Sequence, residues 1–331
     1  MIIETRAFAR AGLLGNPSDG YFGKTISISV RNFGAHVSLY ESPELKIEPQ
    51  DQDLNIYRNI YQLVDSISLT GYYGGTRLIK SAIKKFCEYC YKNNIKLSNK
   101  NFSIRYHSSI PRQVGLAGSS AIITATIRAL MTFYDVDIPH QILPNIILSA
   151  ETEELNINAG LQDRVIQVYE GCVFMDFDRH HFFENGFGKY EKMEPNLLPN
   201  LFIAYKTELG KESGKVLNDI RVRFEKGDPT VINTLQQIAD CAEEGKSALL
   251  QRDYDKLNQL INLNFDLRRK IMRLSQSNIE LVETARKCGA SAKFTGSGGS
   301  IIGICRDDDM LNRLVVALKK VKARVIKPYV I

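Results

Sequence analysis

Between Pro111 and Leu130 the chain reads PRQVGLAGSSAIITATIRAL, and no other stretch limits its folding as much. Two glycines and two serines lead directly into an apolar segment of helical period, so a turn must deliver the backbone straight into the start of a buried helix. Such a start carries unpaired N–H groups and the positive end of the helix dipole, which together favour an anion. Gly115 and Gly118 open backbone angles closed to other residues, letting successive amides converge on one oxyanion. The lysine of the GxxxxGKS/T phosphate loop is missing, so the amides themselves must hold the charge. A serine at the helix start can offer its hydroxyl to a hard cation, or it can act simply as a helix cap.

With 331 residues, the chain exceeds what one core usually serves, and two packed domains are expected. Hydrophobic residues at 44% and charged residues at 24% are ordinary for a globular protein and exclude the disordered, fibrous and membrane classes. Ala121–Leu130 is interrupted by threonine and arginine, so it is no bilayer span. Glu4, Arg6 and Arg10 leave no room for a secretory apolar region, and a cytoplasmic location is expected. A net charge of +6 favours anionic small molecules. Nucleic acid is not an expected partner, because no RNA-binding aromatic motif is present and LKKVKARVIK reads as the solvated face of a last helix and its exit strand. Cysteines 87, 90, 172, 241, 288 and 305 are scattered and expected to be free thiols. The CxxC of Cys87 and Cys90 lies in a helical segment with no second pair at zinc-site spacing.

Periodicity predicts strands at Thr25–Val30 and Val37–Tyr40 and a third at Leu45–Pro49 that ends in a PQDQD turn. A helical pattern follows over Leu54–Asn93, with Leu78, Ile79, Ala82, Ile83 and Phe86 on one face. Phe102–His107 reads as a strand, Ile142–Leu155 as a buried helix, GLQDR as a loop and CVFMDF as a strand. Prolines, glycines and charges between Gly186 and Pro199 mark the expected domain boundary, giving domains of 1–190 and 191–331. LFIAYK is then a strand, and helices run from Lys211 to Cys288 with breaks near KGDP and Ser275–Asn278. SAKFTGSGGSIIGIC reads as strand, glycine turn and strand, and DMLNRLVVALKKV as a helix.

Three glycine-bearing loops therefore stand in order: ARAGLLGNPSDGYFGKTISISV near the start, the PRQVGLAGSSA loop, and TGSGGS near the end. Together with Glu151 and the AGLQDR segment, they resemble the three signature motifs of the GHMP small-molecule kinases over nearly the whole chain. Within that family, GLLGNPSDGYFGKTIS, PRQVGLAGSSAII and AGLQDRVIQVYEG are most similar to the forms found in glucuronokinases. The resemblance implies an α+β fold of two domains: an N-terminal mixed sheet with helices, and a ferredoxin-like C-terminal domain with added helices. It implies an ATP- and Mg²⁺-dependent sugar 1-kinase that phosphorylates the anomeric hydroxyl of D-glucuronate. Galacturonate, arabinose or galactose as acceptor, or a non-catalytic nucleotide- or sugar-binding relative, are the alternatives.

Roles follow from the resemblance. Gly115, Leu116, Ala117, Gly118, Ser119, Ser120 and Ala121 would wrap the triphosphate. Ser120 and Glu151 would hold Mg²⁺, with Ser119 a rival because the loop has one residue more than the usual family spacing before its serines. Asp163 would be the general base and Arg10 the cation that keeps it ionised and offsets charge on the γ-phosphoryl group. Asp19 would accept hydrogen bonds from two sugar hydroxyls. Asn16 stands where galactokinases carry an acidic residue, and its amide is expected to favour a sugar carboxylate over a hydroxymethyl group. Arg164, Lys24, Arg77 and Lys293 are the available cationic partners for that carboxylate, and Gly296 and Gly298 would close over the acceptor. Tyr21 and Arg112 lie inside the motifs without an assigned role.

Overall fold

Strand β1 (Ile2–Leu14) alternates between exposed and buried at its start and is buried on both faces from Phe8 onward, the pattern of a strand covered on both sides. It pairs antiparallel with β2 (Lys24–Glu41) over nearly its whole length. This computed structural model describes residues 2–49, 74–207 and 216–331. The two strands expected at Thr25–Val30 and Val37–Tyr40 are one strand. Where the register jumps from Ala9↔Val30 to Phe8↔Gly34, Arg31–Phe33 bulge out of the ladder without ending it.

Because β2 is so long, it serves two partners on its other edge: β4 (Phe102–Ser108) along Ala35–Glu41 and β5 (Cys172–Asp176) along Lys24–Ile28. A short β3 (Lys46–Ile47) adds parallel to β4, and β6 (Lys189–Met193) antiparallel to β5, giving a mixed six-stranded sheet. Only two residues of the expected Leu45–Pro49 strand pair, and the PQDQD turn beyond Pro49 lies outside the described residues, as does the 54–73 part of the expected first helix.

Helices α1 (Gly75–Lys92), α2 (Gly118–Tyr134), α3 (Leu143–Leu155) and α4 (Gln162–Tyr169) form the layer on this sheet, α2 and α4 against β1 and β2, and α1 and α3 against α2. Cys87 is exposed and Cys90 buried on α1, and all six cysteines are unbridged. Helix α2 is buried nearly all round, which explains why its sequence is apolar all round. Its threonines are satisfied within the helix, Thr124 Oγ1 donating to the Ser120 carbonyl at 2.7 Å and Thr126 Oγ1 to that of Ile122 at 2.8 Å. Ile123 is fully buried, so Ile123→Ala would cost about 2–5 kcal/mol. The expected GLQDR loop is helical from Gln162, which sets Asp163 in the first turn of α4.

A short α5 (Arg179–Asn185) joins β5 to β6. The chain leaves the first sheet after Met193 and enters a second at β7 (Leu201–Lys206). The change of sheet therefore falls in 194–200, a few residues beyond position 190, because Lys189–Met193 complete the first sheet. Helices α6 (Val216–Glu225), α7 (Pro229–Gln251), α8 (Tyr254–Ile271) and α9 (Gln276–Lys287) follow; residues 211–215 of the expected helical run lie outside the described ones. Both expected breaks occur, and a third, not expected, falls at Arg252–Asp253 between α7 and α8. Asp228 caps α7, accepting from the Thr230 N–H at 2.9 Å, and Ser275 caps α9, accepting from the Asn278 N–H at 3.3 Å.

The hairpin β8 (Lys293–Phe294) and β9 (Ser300–Ile304), helix α10 (Asp308–Lys320) and β10 (Ala323–Ile326) close the chain in an antiparallel sheet of order β10-β7-β9-β8. This is the split βαβ arrangement of a ferredoxin-like fold with extra helices between its first two strands. Helix α7 lies over β1 and β2, and a single hydrophobic core runs from Ile3 through α7 and α8 to Ile304. The two sheets are thereby joined, and the three glycine loops meet at that junction.

Candidate active site

The loop before α2 is held in its turn by three left-handed residues, Gln113, Gly115 and Ala117. Gly115 (φ 71°) must be glycine for a second reason: a Cβ there would fall 2.6 Å from the Gly298 carbonyl oxygen. Gly118 is not left-handed; it is the first helical residue, after an Ala117 cap that uses no side chain. The first turn of α2 thus presents its amides without a capping hydroxyl, as an anion site requires. Leu116 and Ala121 are buried and anchor the loop from below.

The serines diverge. Ser120 is fully buried, and its hydroxyl turns back on the Ala117 carbonyl at 3.2 Å. The Ser119 hydroxyl points the other way and donates to Glu151 Oε1 at 2.6 Å. The structure therefore brings Ser119, and not Ser120, to the carboxylate with which a metal would be shared. The cause is helical phase: adjacent residues on α2 point about 100° apart, and only one can face α3. Glu151 is completely buried, and its other oxygen accepts from both Nε (2.7 Å) and Nη2 of Arg164.

Arg10 ties the three loops together. From β1 it makes a bidentate pair with Asp163, Nε to Oδ1 at 2.5 Å and Nη2 to Oδ2 at 2.7 Å. Its Nη1 donates to the carbonyls of Gly115 (2.6 Å) and Thr295 (3.0 Å). Arg164 approaches Asp163 from the other side at 3.2 Å. Burial alone would raise the Asp163 carboxyl, but the guanidinium of Arg10, and then that of Arg164, override it and hold the group below the ordinary value of 3.8. The side chain of Asp163 keeps 15% of its exposure, enough for a small molecule to reach its oxygens.

Asp19 behaves oppositely. It sits on the 3₁₀ turn Ser18–Tyr21 and accepts from the backbone and side-chain N–H of Gln162, each at 3.3 Å. Burial, and then the nearby Asp163 charge, raise its pKa from 3.8 to about 6. Two neighbouring carboxylates thus have their titrations pushed apart.

Other expected contacts fall elsewhere. Asn16 is 1% exposed: its Oδ1 accepts from the Lys293 ammonium, and its Nδ2 reaches the Phe294 carbonyl at 3.4 Å. The amide is thus committed to the β8 hairpin and does not face the open site, because the tight turn at Gly15–Pro17 folds its side chain beneath β1. Arg164 is buried and spent on Glu151, Asp163 and the Gly160 carbonyl. Gly296 packs on the Arg10 guanidinium and Gly298 against Gly115, so both support the loop before α2. Lys293 also donates to the carbonyls of Gly12 and Phe294, each at 2.8 Å. Burial, and then Arg268 and Arg10, lower its pKa well below 10.5.

Three further residues carry the site. Gln167, one turn beyond Asp163 on α4, donates to the carbonyls of Ala117 (2.9 Å) and Phe8 (3.2 Å) and locks the loop onto the helix that carries Asp163. Thr295 donates to the Gly115 carbonyl at 3.1 Å. Arg268 on α8 donates to the Gly296 carbonyl at 2.7 Å and sits over the Phe294 ring, 5.2 Å from its centroid. Burial lowers its pKa to about 10. Gln167 was within reach of sequence reasoning, as it shares the Asp163 face of α4; Arg268 has no local signal.

Comparison with known proteins gives the family and the fold. Residues 77–171 match the model of the GHMP kinases N terminal domain, and 246–323 that of the GHMP kinases C terminal domain. Glucuronokinase 1 of Arabidopsis thaliana is 48% identical over 309 residues, covering 92% of this chain and 85% of that protein. The Methanococcus jannaschii mevalonate kinase structure superposes with a TM-score of 0.72 at 21% identity, over 100% of this chain and 98% of the other. Lactococcus lactis galactokinase complexed with galactose gives 0.76 at 15% identity, over 99% and 93%. These two structures share the fold.

Proposed function

Since the chain belongs to the GHMP kinases, we propose that it transfers the γ-phosphoryl group of ATP to the anomeric hydroxyl of D-glucuronate, giving glucuronate 1-phosphate. The identity of 48% to an Arabidopsis glucuronokinase along 92% of the chain carries the choice of acceptor. The site supports the reaction. Amides of Gly118–Ala121 and the α2 dipole receive the β- and γ-phosphates, and Arg10 stands between the loop and Asp163 to offset charge on the moving group. Asp19 accepts hydrogen bonds from sugar hydroxyls and fixes the ring. As the anomeric oxygen bonds to the γ-phosphorus, its bond to the β–γ bridging oxygen breaks, ADP leaves, and an Asp163 oxygen takes the hydroxyl proton.

The Ser119 hydroxyl and Glu151 carboxylate, 2.6 Å apart, are hard oxygen donors of the kind Mg²⁺ takes, few enough to leave places for phosphate oxygens and water. Bound there, Mg²⁺ would neutralise charge on the β- and γ-phosphates. Among the described residues no helix is long and apolar enough to cross a membrane, and we place the enzyme in the cytoplasm, where ATP is supplied. A coupled ADP-release assay over glucuronate, galacturonate, arabinose and galactose tests the acceptor. Glucuronate should have the highest kcat/KM, and a preference for a neutral sugar would refute the assignment.

A further inference from the structure

A sugar acid brings a carboxylate that must find a cation, and the cations offered by the sequence are already committed. Arg164 pairs with Glu151 and Asp163, Lys24 with Glu243 at 2.5 Å, and Lys293 lies buried beneath Asn16. Arg77 also engages other groups. We propose that Arg221, on α6, binds the carboxylate of the acceptor and sets the preference for an anionic over a neutral sugar. This rests on the glucuronate reading above.

The placement comes from packing. Phe224, one helical turn beyond Arg221, sets its ring 4.9 Å from that of Tyr21. Residues three apart share a helix face, so the face carrying Arg221 lies over the 3₁₀ turn that holds Asp19 and Tyr21. Arg221 is exposed and forms no ion pair with a described residue, including Glu225 one turn on. The Tyr21 phenol, raised chiefly by burial, lies within the fields of Arg221, Asp19 and Glu225. The charged groups therefore run in sequence from Asp163 to Asp19, past Tyr21, to Arg221. A sugar carboxylate turned toward either aspartate would meet like charge. With the anomeric hydroxyl at Asp163, the favourable direction for it is outward past Tyr21, where the Arg221 guanidinium can grip it bidentately.

The test compares D-glucuronate with neutral D-glucuronamide, which keeps the anomeric hydroxyl, in the full-length protein and in Arg221→Gln and Arg221→Lys. Values are taken as kcat/KM, or as inhibition constants where turnover is slow. Arg221→Gln should raise KM for glucuronate about 10- to 100-fold, the worth of one charge-assisted hydrogen-bond pair, with a smaller change in kcat. Glucuronamide should be unaffected, so the preference collapses, and Arg221→Lys should restore part of it. Because Arg221 is exposed, the melting temperature should not move. A glucuronate preference that persists in Arg221→Gln overturns the proposal while leaving the function intact. An unmutated enzyme inactive on glucuronate overturns both, and that is seen before any variant is made.

Discussion

Replacing Asp19 by asparagine should damage catalysis and stabilise the fold, and the second effect should depend on pH. In the native protein this carboxyl ionises at about 6 instead of 3.8. A raised carboxyl pKa means that between those values the unfolded chain has lost a proton the native state still holds. Stability associated with the group is therefore complete below pH 3.8 and is lost as pH rises through about 6. Moving the ionisation that far costs folding roughly 3 kcal/mol above pH 6, at about 1.4 kcal/mol per tenfold change. Asparagine removes this cost. It can still accept from the Gln162 N–H, but it loses one of the two Gln162 contacts, a penalty of about 1 kcal/mol. Asp19→Asn should thus be more stable than the native protein by about 2 kcal/mol at pH 8, and by nothing, or slightly less stable, at pH 4. Urea unfolding at both pH values measures this. A stability difference that does not change with pH would refute the burial argument. Loss of a carboxylate that accepts from two sugar hydroxyls should lower kcat/KM about 10- to 100-fold, and the acid limb near pH 6 in the native profile should disappear.

Asp163→Asn should lower kcat about 10²- to 10⁴-fold, and because the buried Arg10 then loses its carboxylate partner while Arg164 keeps only Glu151, the melting temperature should fall as well. Ser119→Ala should raise the Mg²⁺ concentration needed for half-maximal rate, whereas Ser120→Ala, which loses only a hydrogen bond to the Ala117 carbonyl, should leave that concentration unchanged; a Mg²⁺ titration of both variants decides between the two serines. Asn16→Asp should place a carboxylate against the Lys293 ammonium and leave the ratio of glucuronate to glucuronamide kcat/KM as it is. A shifted ratio would return Asn16 to the role expected from its position in the motif.

Much of this site was legible because its chemistry is local. The glycine turn and the apolar helix after it lie in one short stretch whose backbone needs are written in its residues, whereas Asp163 was singled out by resemblance and sits on a helix where a loop was expected. Long-range pairing decided the rest. Whether Ser119 or Ser120 meets Glu151 depends on the phase of α2 against α3, and neither segment alone encodes it. Asn16 resembles a substrate contact in sequence, yet β8, some 280 residues later, brings Lys293 beneath it. The fusion of two expected strands into β2 follows from the same cause, since β1 runs alongside and tolerates a bulge at Arg31–Phe33. Arg268 and Arg221 carry no motif, and only the packing of α8 and α6 onto the glycine loops makes them visible.

The most direct measurement is phosphorus NMR of the product formed from ATP, Mg²⁺ and D-glucuronate. A phosphoryl resonance coupled to the anomeric proton, growing as the γ-phosphate of ATP declines, is the predicted result. Inorganic phosphate alone, or a phosphate ester on another carbon of the sugar, would contradict it.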